Sequence, residues 1–176
     1  VSRRNLELKA RDLAPAKSHR ACEELGAEYR GTLIQKDTYF DVPRGRLKLR
    51  EEEGAAAHLI AYERPDSPGE RESRYRIVEL ADADELREAL AAVLGIRVVV
   101  TKARRLFLFE GVRIHLDRVD GLGDFIEFEG ILGSAGSGDL ERARELLAEL
   151  RRSFGIREDD LISGSYSDLL LASARI

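Results

Sequence analysis

Eight short stretches of this chain alternate apolar and polar residues, and in most of them the polar positions carry full charges. A period of two builds strands with unlike faces, so such a chain folds by deciding where a set of charged sheet faces can go. The stretches are Asn5–Ala10, Glu28–Asp41, Arg46–Glu52, His58–Arg64, Ser73–Leu80, Arg97–Phe109, Val112–Val119 and Asp124–Leu132. Their polar faces present Glu7 and Lys9; Arg46, Lys48, Arg50 and Glu52; Arg64; Lys102 and Arg104; Arg113, His115 and Asp117; and Glu127 and Glu129. Residues two apart on a strand stand about 6–7 Å apart on one face, so each set is a short ladder of charge.

Between the strands lie helix signals. Asp12 precedes Pro15 and apolar positions at helical spacing that run to Leu25 before Gly26. Asp82, with Glu85 three residues on, opens a second helix that runs to Leu94 and stops at Gly95. Gly133 to Gly138 reads as a flexible linker, and Asp139 caps a third helix reaching about Phe154. Most links between strands are of hairpin length, which favours an antiparallel sheet. Closing eight strands into a barrel also removes exposed edges. The reading is an α+β fold: one domain over residues 1–176, an eight-stranded antiparallel closed β-barrel with helices packed outside.

Two placements of the charged faces are open. They can form the solvated outside of the barrel, or they can line its inside while the apolar faces pack under the helices. In the second case like-charged cations are buried, at a cost that an anionic ligand relieves. The mixture of cations and carboxylates then suits a polyanion arriving with Mg²⁺ or Mn²⁺, hard ions that take carboxylate and phosphate oxygens.

Charge and cysteine content exclude several classes. Lys and Arg number 29 against 33 Asp and Glu, a net charge of −4, which argues against a nucleic-acid partner. No apolar run approaches the roughly 20 residues of a spanning helix, and the opening residues have no apolar leader, so no membrane partner is expected. Cys22 is the one cysteine and has no disulfide partner in the chain, which suits the cytoplasm. With three scattered histidines and one cysteine, a zinc site is not expected. Gly121-Leu122-Gly123 precedes a strand, so it is a turn and not a dinucleotide loop.

Several blocks, in order, resemble the CYTH superfamily, the class IV adenylyl cyclase and thiamine triphosphatase group of triphosphate tunnel metalloenzymes. Asn5-Leu6-Glu7-Leu8-Lys9 is similar to the family's opening Glu-x-Glu-x-Lys, with Asn in place of the first Glu. Gln35 to Phe40 followed by Gly45 to Glu51 resembles the second block, and Arg64 before Pro65 falls where a basic tunnel residue is usual. Lys102 to Arg105, Arg113 to Asp117, Gly121 to Phe125 and Glu127-Phe128-Glu129 resemble the second half, and Ser165 to Leu170 the tail of the cyclase-like branch. The His-Phe pair that precedes the first strand of characterised cyclases has no counterpart in Val1 to Arg4.

The resemblance implies a metal-dependent enzyme acting on ATP or on an inorganic or organic triphosphate. In it Lys48, Arg50, Arg64, Lys102, Arg104 and Arg113 clamp phosphates, Glu7, Glu127 and Glu129 bind Mg²⁺ or Mn²⁺, and Lys9 is a further clamp or the proton acceptor. Glu52, His115 and Asp117 are further tunnel residues. Cyclisation to cyclic AMP and pyrophosphate and hydrolysis of the terminal phosphate both fit. A binding module that holds polyphosphate or a phosphorylated ligand without turnover is the alternative, and a homodimer is compatible with the chain.

Overall fold

The computed structural model describes residues 3–63, 69–132 and 137–174. Eight strands, β1 (Arg3–Arg11), β2 (Glu28–Phe40), β3 (Arg46–Glu52), β4 (Ala57–Glu63), β5 (Arg71–Leu80), β6 (Ile96–Phe109), β7 (Val112–Val119) and β8 (Gly123–Leu132), close into a barrel in the order β1-β5-β4-β3-β2-β6-β7-β8. Every neighbouring pair is antiparallel. Helices α1 (Pro15–Glu24), α2 (Asp84–Leu94), α3 (Ser137–Ser153) and α4 (Tyr166–Ser173) surround it. The expected α+β barrel is the fold observed.

Local chemistry explains the element ends. Asp12 Oδ1 accepts from Ala14 N at 3.1 Å and from Ser18 Oγ at 2.8 Å, so this carboxylate stabilises the start of α1 from just outside it. Asp82 Oδ1 does the same for α2, accepting from Asp84 N and Glu85 N at 3.0 and 3.3 Å. Glu110 and Gly111 join β6 to β7 with φ of 47° and 82°, the pair of positive values that a two-residue hairpin turn requires. The linker expected over 133–136 lies outside the described residues. Helix α3 starts at Ser137, so Asp139 sits in its first turn, where a carboxylate complements the helix dipole. The Ser165 tail is itself a helix start: Ser165 Oγ accepts from Asp168 N, and Asp168 Oδ2 accepts from Ser165 N, which is a capping box.

The core lies outside the barrel wall. Leu6, Leu8, Ala10, Ile114, Leu116, Ile126 and Phe128 point outward from β1, β7 and β8 and pack with Cys22 of α1 and with Leu146, Leu147 and Leu150 of α3. Gly130 lets α3 approach, since a Cβ there would come within 3.3 Å of Ala143 Cβ. A second cluster joins Tyr39, Val100, Val119 and Phe125 of the strands to Tyr166, Leu169 and Leu170 of α4, which packs across one end of the barrel. With the apolar faces committed to the helices, alternation sends the charged faces inward. No helix among the described residues is long and apolar enough to cross a membrane.

Candidate functional site

Inside the barrel lies a cavity of about 300 Å³. Glu7, Lys9, Lys48, Arg50, Lys102, Arg104, Arg113, His115, Glu127 and Glu129 all line it, drawn from β1, β3, β6, β7 and β8. Of the remaining expected residues, Asp117 is buried behind the lining, Glu52 sits at the end of β3 and accepts from Gln35 Nε2 at 2.6 Å, and Arg64 lies outside the described residues.

The cations form two groups. In the first, Asp37 of β2 is the hub, and the residue is 1% exposed. Arg50 donates from Nε to Asp37 Oδ1 at 2.7 Å and from Nη2 to Oδ2 at 2.8 Å, while Lys48 Nζ and Lys102 Nζ donate to Oδ2 at 3.0 and 2.8 Å. Register explains the meeting: Arg50 lies opposite Asp37, and Lys102 lies opposite Gln35, two residues away on the same face. Burial works against ionising Asp37, yet Arg50, Lys102 and Lys48 outweigh it and hold the carboxyl well below the usual range. The lysines go the other way. Burial, with Arg50 adding to it, takes Lys48 down to about 7; burial takes Lys102 to about 8, with Asp37 opposing the fall.

The second group is carboxylate-rich. Arg104 forks onto Asp117 at 2.7 and 2.6 Å and reaches Glu127 Oε2 at 3.1 Å. Tyr166 of α4 donates its hydroxyl to Asp117 Oδ2 at 2.8 Å. Lys9 Nζ stands 3.6 Å from Glu127 Oε1 and 4.0 Å above the Tyr166 ring. His115 lies 3.6 Å from Glu127 and 3.8 Å from Glu129, and Arg113 Nη1 donates to Glu129 at 3.1 Å. Burial resists ionisation of Glu127, but Lys9, His115 and Arg104 together keep its carboxyl well below the usual range.

Across the β1–β8 seam, Glu7 faces Glu129 and Lys9 faces Glu127. Arg71 of β5 donates from Nε to Glu7 at 3.1 Å and from Nη1 to the carbonyls of Ile162 and Ser163 at 2.8 and 2.7 Å, tying the chain before α4 to the barrel. Asn5 Nδ2 donates to Glu129 Oε1, and Asn5 Oδ1 is buried with no hydrogen-bond partner. Among the described residues no three His, Cys, Asp or Glu side chains are already drawn together as a metal site. The donor chemistry nevertheless suits a hard divalent ion: carboxylates from two adjacent strands and an unused amide oxygen beside one of them.

The CYTH domain family profile matches residues 3–166. The chain belongs to the CYTH family. It is 26% identical over 157 residues to "Putative adenylate cyclase MJ0240" of Methanocaldococcus jannaschii, covering 84% of this chain and 87% of that protein. The PH1012 protein of Pyrococcus horikoshii OT3 is similar in structure, with a TM-score of 0.82 and 25% identity over 94% of this chain and 98% of its own. HpAC1 of Hippeastrum, reported with a dominant triphosphatase activity, shares the fold at a TM-score of 0.60 and 18% identity, over 97% and 96% of the two chains.

Three participants in this CYTH tunnel escape a reading of charge ladders. Asp37 shares its face with Gln35 and Tyr39, so the parity signal was present, but one acid in a Tyr- and Thr-rich strand does not stand out. Arg71 falls two residues before the expected strand start at Ser73, on the same face. Tyr166 belongs to a helix that reaches the tunnel only through tertiary packing.

Proposed function

We propose that this CYTH protein is a metal-dependent enzyme that binds a triphosphate in its barrel and cleaves a phosphoanhydride bond. The observation that carries this reading is the convergence of Lys48, Arg50, Lys102, Arg104 and Arg113 on the cavity that Glu7, Glu127 and Glu129 also line. That many cations around one cavity, Lys102 and Arg104 buried and the other three half-buried, call for a polyanion, and the separate carboxylate-rich wall calls for a cation that travels with it.

In this reading Lys48, Arg50 and Lys102 hold one part of the phosphate chain, and Arg104 and Arg113 hold the part nearest the carboxylates. Such a clamp acts by positioning the chain and by stabilising charge as it moves onto the leaving phosphate. Glu7, Glu127 and Glu129, with the Asn5 amide oxygen, would hold Mg²⁺ or Mn²⁺, which when bound neutralises phosphate charge and polarises the phosphoryl oxygens. Lys9, beside Glu127, either adds to the clamp or takes the proton of the attacking hydroxyl. With water as nucleophile, oxygen joins the terminal phosphorus and the bridging P–O bond breaks, giving a diphosphate and phosphate. With a ribose 3′-hydroxyl, attack on the α-phosphorus gives cyclic AMP and pyrophosphate.

The test is a steady-state assay with ATP, inorganic triphosphate and thiamine triphosphate, each with Mg²⁺ and with Mn²⁺. Release of phosphate identifies hydrolysis, and release of cyclic AMP with pyrophosphate identifies cyclisation. Tight binding of all three without turnover would overturn the enzymatic reading in favour of a binding module.

A further inference from the structure

Asp37 is an acid placed where the proposed ligand's own negative charge would go. Its two oxygens take four hydrogen bonds from three cations, three of them on Oδ2 and one on Oδ1. Among the described residues it is the acidic group within hydrogen-bonding reach of Lys48, Arg50 and Lys102, and all four side chains line the cavity. Each ammonium has three N–H donors and spends one on Asp37, so a phosphate oxygen can join the same fan without first dismantling it.

We propose that Asp37 is a positioning residue of the phosphate clamp: a resident counter-anion that holds Lys48, Arg50 and Lys102 convergent and charged, and shares them with the triphosphate when it binds. The inference rests on the triphosphate reading above and goes beyond it by assigning the clamp an internal partner. Without that carboxylate three cations meet in a largely dry wall, where repulsion drives the lysines toward their neutral amines.

The surroundings support this. The charged and titratable groups that face the two ammoniums are Asp37 and Tyr39 from β2, Arg50 from β3, Tyr62 from β4, Arg104 from β6 and Asp117 from β7. The Lys48 ammonium lies 5.5 and 5.7 Å from the Tyr39 and Tyr62 ring centroids. Asp117 is already engaged by Arg104 and Tyr166. Asp37 is therefore the acid that supports the charge of both lysines, with Asp117 adding to it at Lys102. Even with it, burial leaves Lys48 at about 7 and Lys102 at about 8, so a lost carboxylate shifts the clamp's charge across the neutral range.

The experiment is calorimetric titration of inorganic triphosphate, without metal, from pH 5.5 to 9, into wild type, Asp37→Asn and Asp37→Glu. In wild type, affinity falls as pH rises through the neutral range. In Asp37→Asn the midpoint of that fall moves down by one pH unit or more, while toward pH 5.5, where more of the variant's lysines are charged, its affinity approaches that of wild type. Asp37→Glu restores a midpoint close to wild type. A uniform loss of affinity at every pH in Asp37→Asn, with an unmoved midpoint, would overturn the inference and make Asp37 a merely structural residue. If Asp37→Asn does not fold alone, inorganic triphosphate must restore folding, because it supplies the missing negative charge, and failure to restore it is equally fatal. Wild type that binds no triphosphate at any pH overturns the triphosphate reading, and this inference with it. Wild type that binds, beside a variant whose midpoint does not move, overturns this inference alone.

Discussion

Lys102 Nζ donates to Asp37 Oδ2 at 2.8 Å across the β2–β6 seam, in a wall where each of the two residues is 1% exposed. A lysine this buried keeps its charge only beside a negative one, so the pair ties the charge of the clamp to Asp37. Four expectations follow from that wall and its neighbours.

Stability and ligand affinity should run in opposite directions with pH. Lys48 and Lys102 titrate at about 7 and 8 in the folded chain against 10.5 for an ordinary lysine. Between those values the unfolded chain binds more protons than the folded one, so stability rises as pH increases through that window. The same deprotonation removes cations from the clamp, so affinity for inorganic triphosphate falls. Thermal unfolding and calorimetric binding from pH 6.5 to 9 check both slopes, and parallel slopes would refute the assignment.

Arg50→Met removes the guanidinium that grips Asp37 through two nitrogens. Hydrogen bonds to charged groups are worth about 1.5–3 kcal/mol each, so triphosphate affinity should fall by roughly ten- to a hundredfold. Circular dichroism should still report the native fold, because the apolar core lies on the other side of the wall. A Kd within twofold of wild type would place the phosphates elsewhere in the barrel.

Glu129→Gln and Glu7→Gln should each lower turnover by two or more orders of magnitude, since loss of a carboxylate weakens the hold on the divalent ion. The magnesium concentration for half-maximal rate should rise with it; the melting temperature stays near wild type for Glu129→Gln and falls for Glu7→Gln, which removes the charge beside the buried Arg71. Wild-type turnover with unchanged magnesium dependence would mean that the ion is held by other residues.

Asp168→Ala should loosen the end of the barrel that α4 covers. Asp168 caps α4 through Ser165 and also accepts from Arg46 of β3 at 2.9 Å. Loss of a cap costs about 0.5–2 kcal/mol, and the partly exposed ion pair adds little. Denaturant unfolding should show a loss of that size, and hydrogen exchange should quicken in α4 before it quickens in β1 or β8.

The alternation of Leu6, Leu8 and Ala10 with Glu7 and Lys9, repeated in seven further strands, determined by itself that this chain is a sheet with charged and apolar faces. Capping acids and turn glycines then delimited the strands and the first two helices, because those signals act within a few residues. Two-residue parity also put Lys48 with Arg50, Lys102 with Arg104 and Glu127 with Glu129 on common faces, as found. Whether those faces looked out or in was decided by tertiary structure. Only when α1 and α3 cover Ile114, Ile126 and Phe128 does the outside become the dry side, leaving the charges the interior. Barrel closure alone could set Glu7 against Glu129, since β1 and β8 are more than a hundred residues apart and their register depends on every intervening strand. Asp37, Arg71 and Tyr166 gained their partners in the same way. A single acid, arginine or tyrosine carries no long-range address in sequence, and its chemistry is settled by what the closed barrel brings beside it.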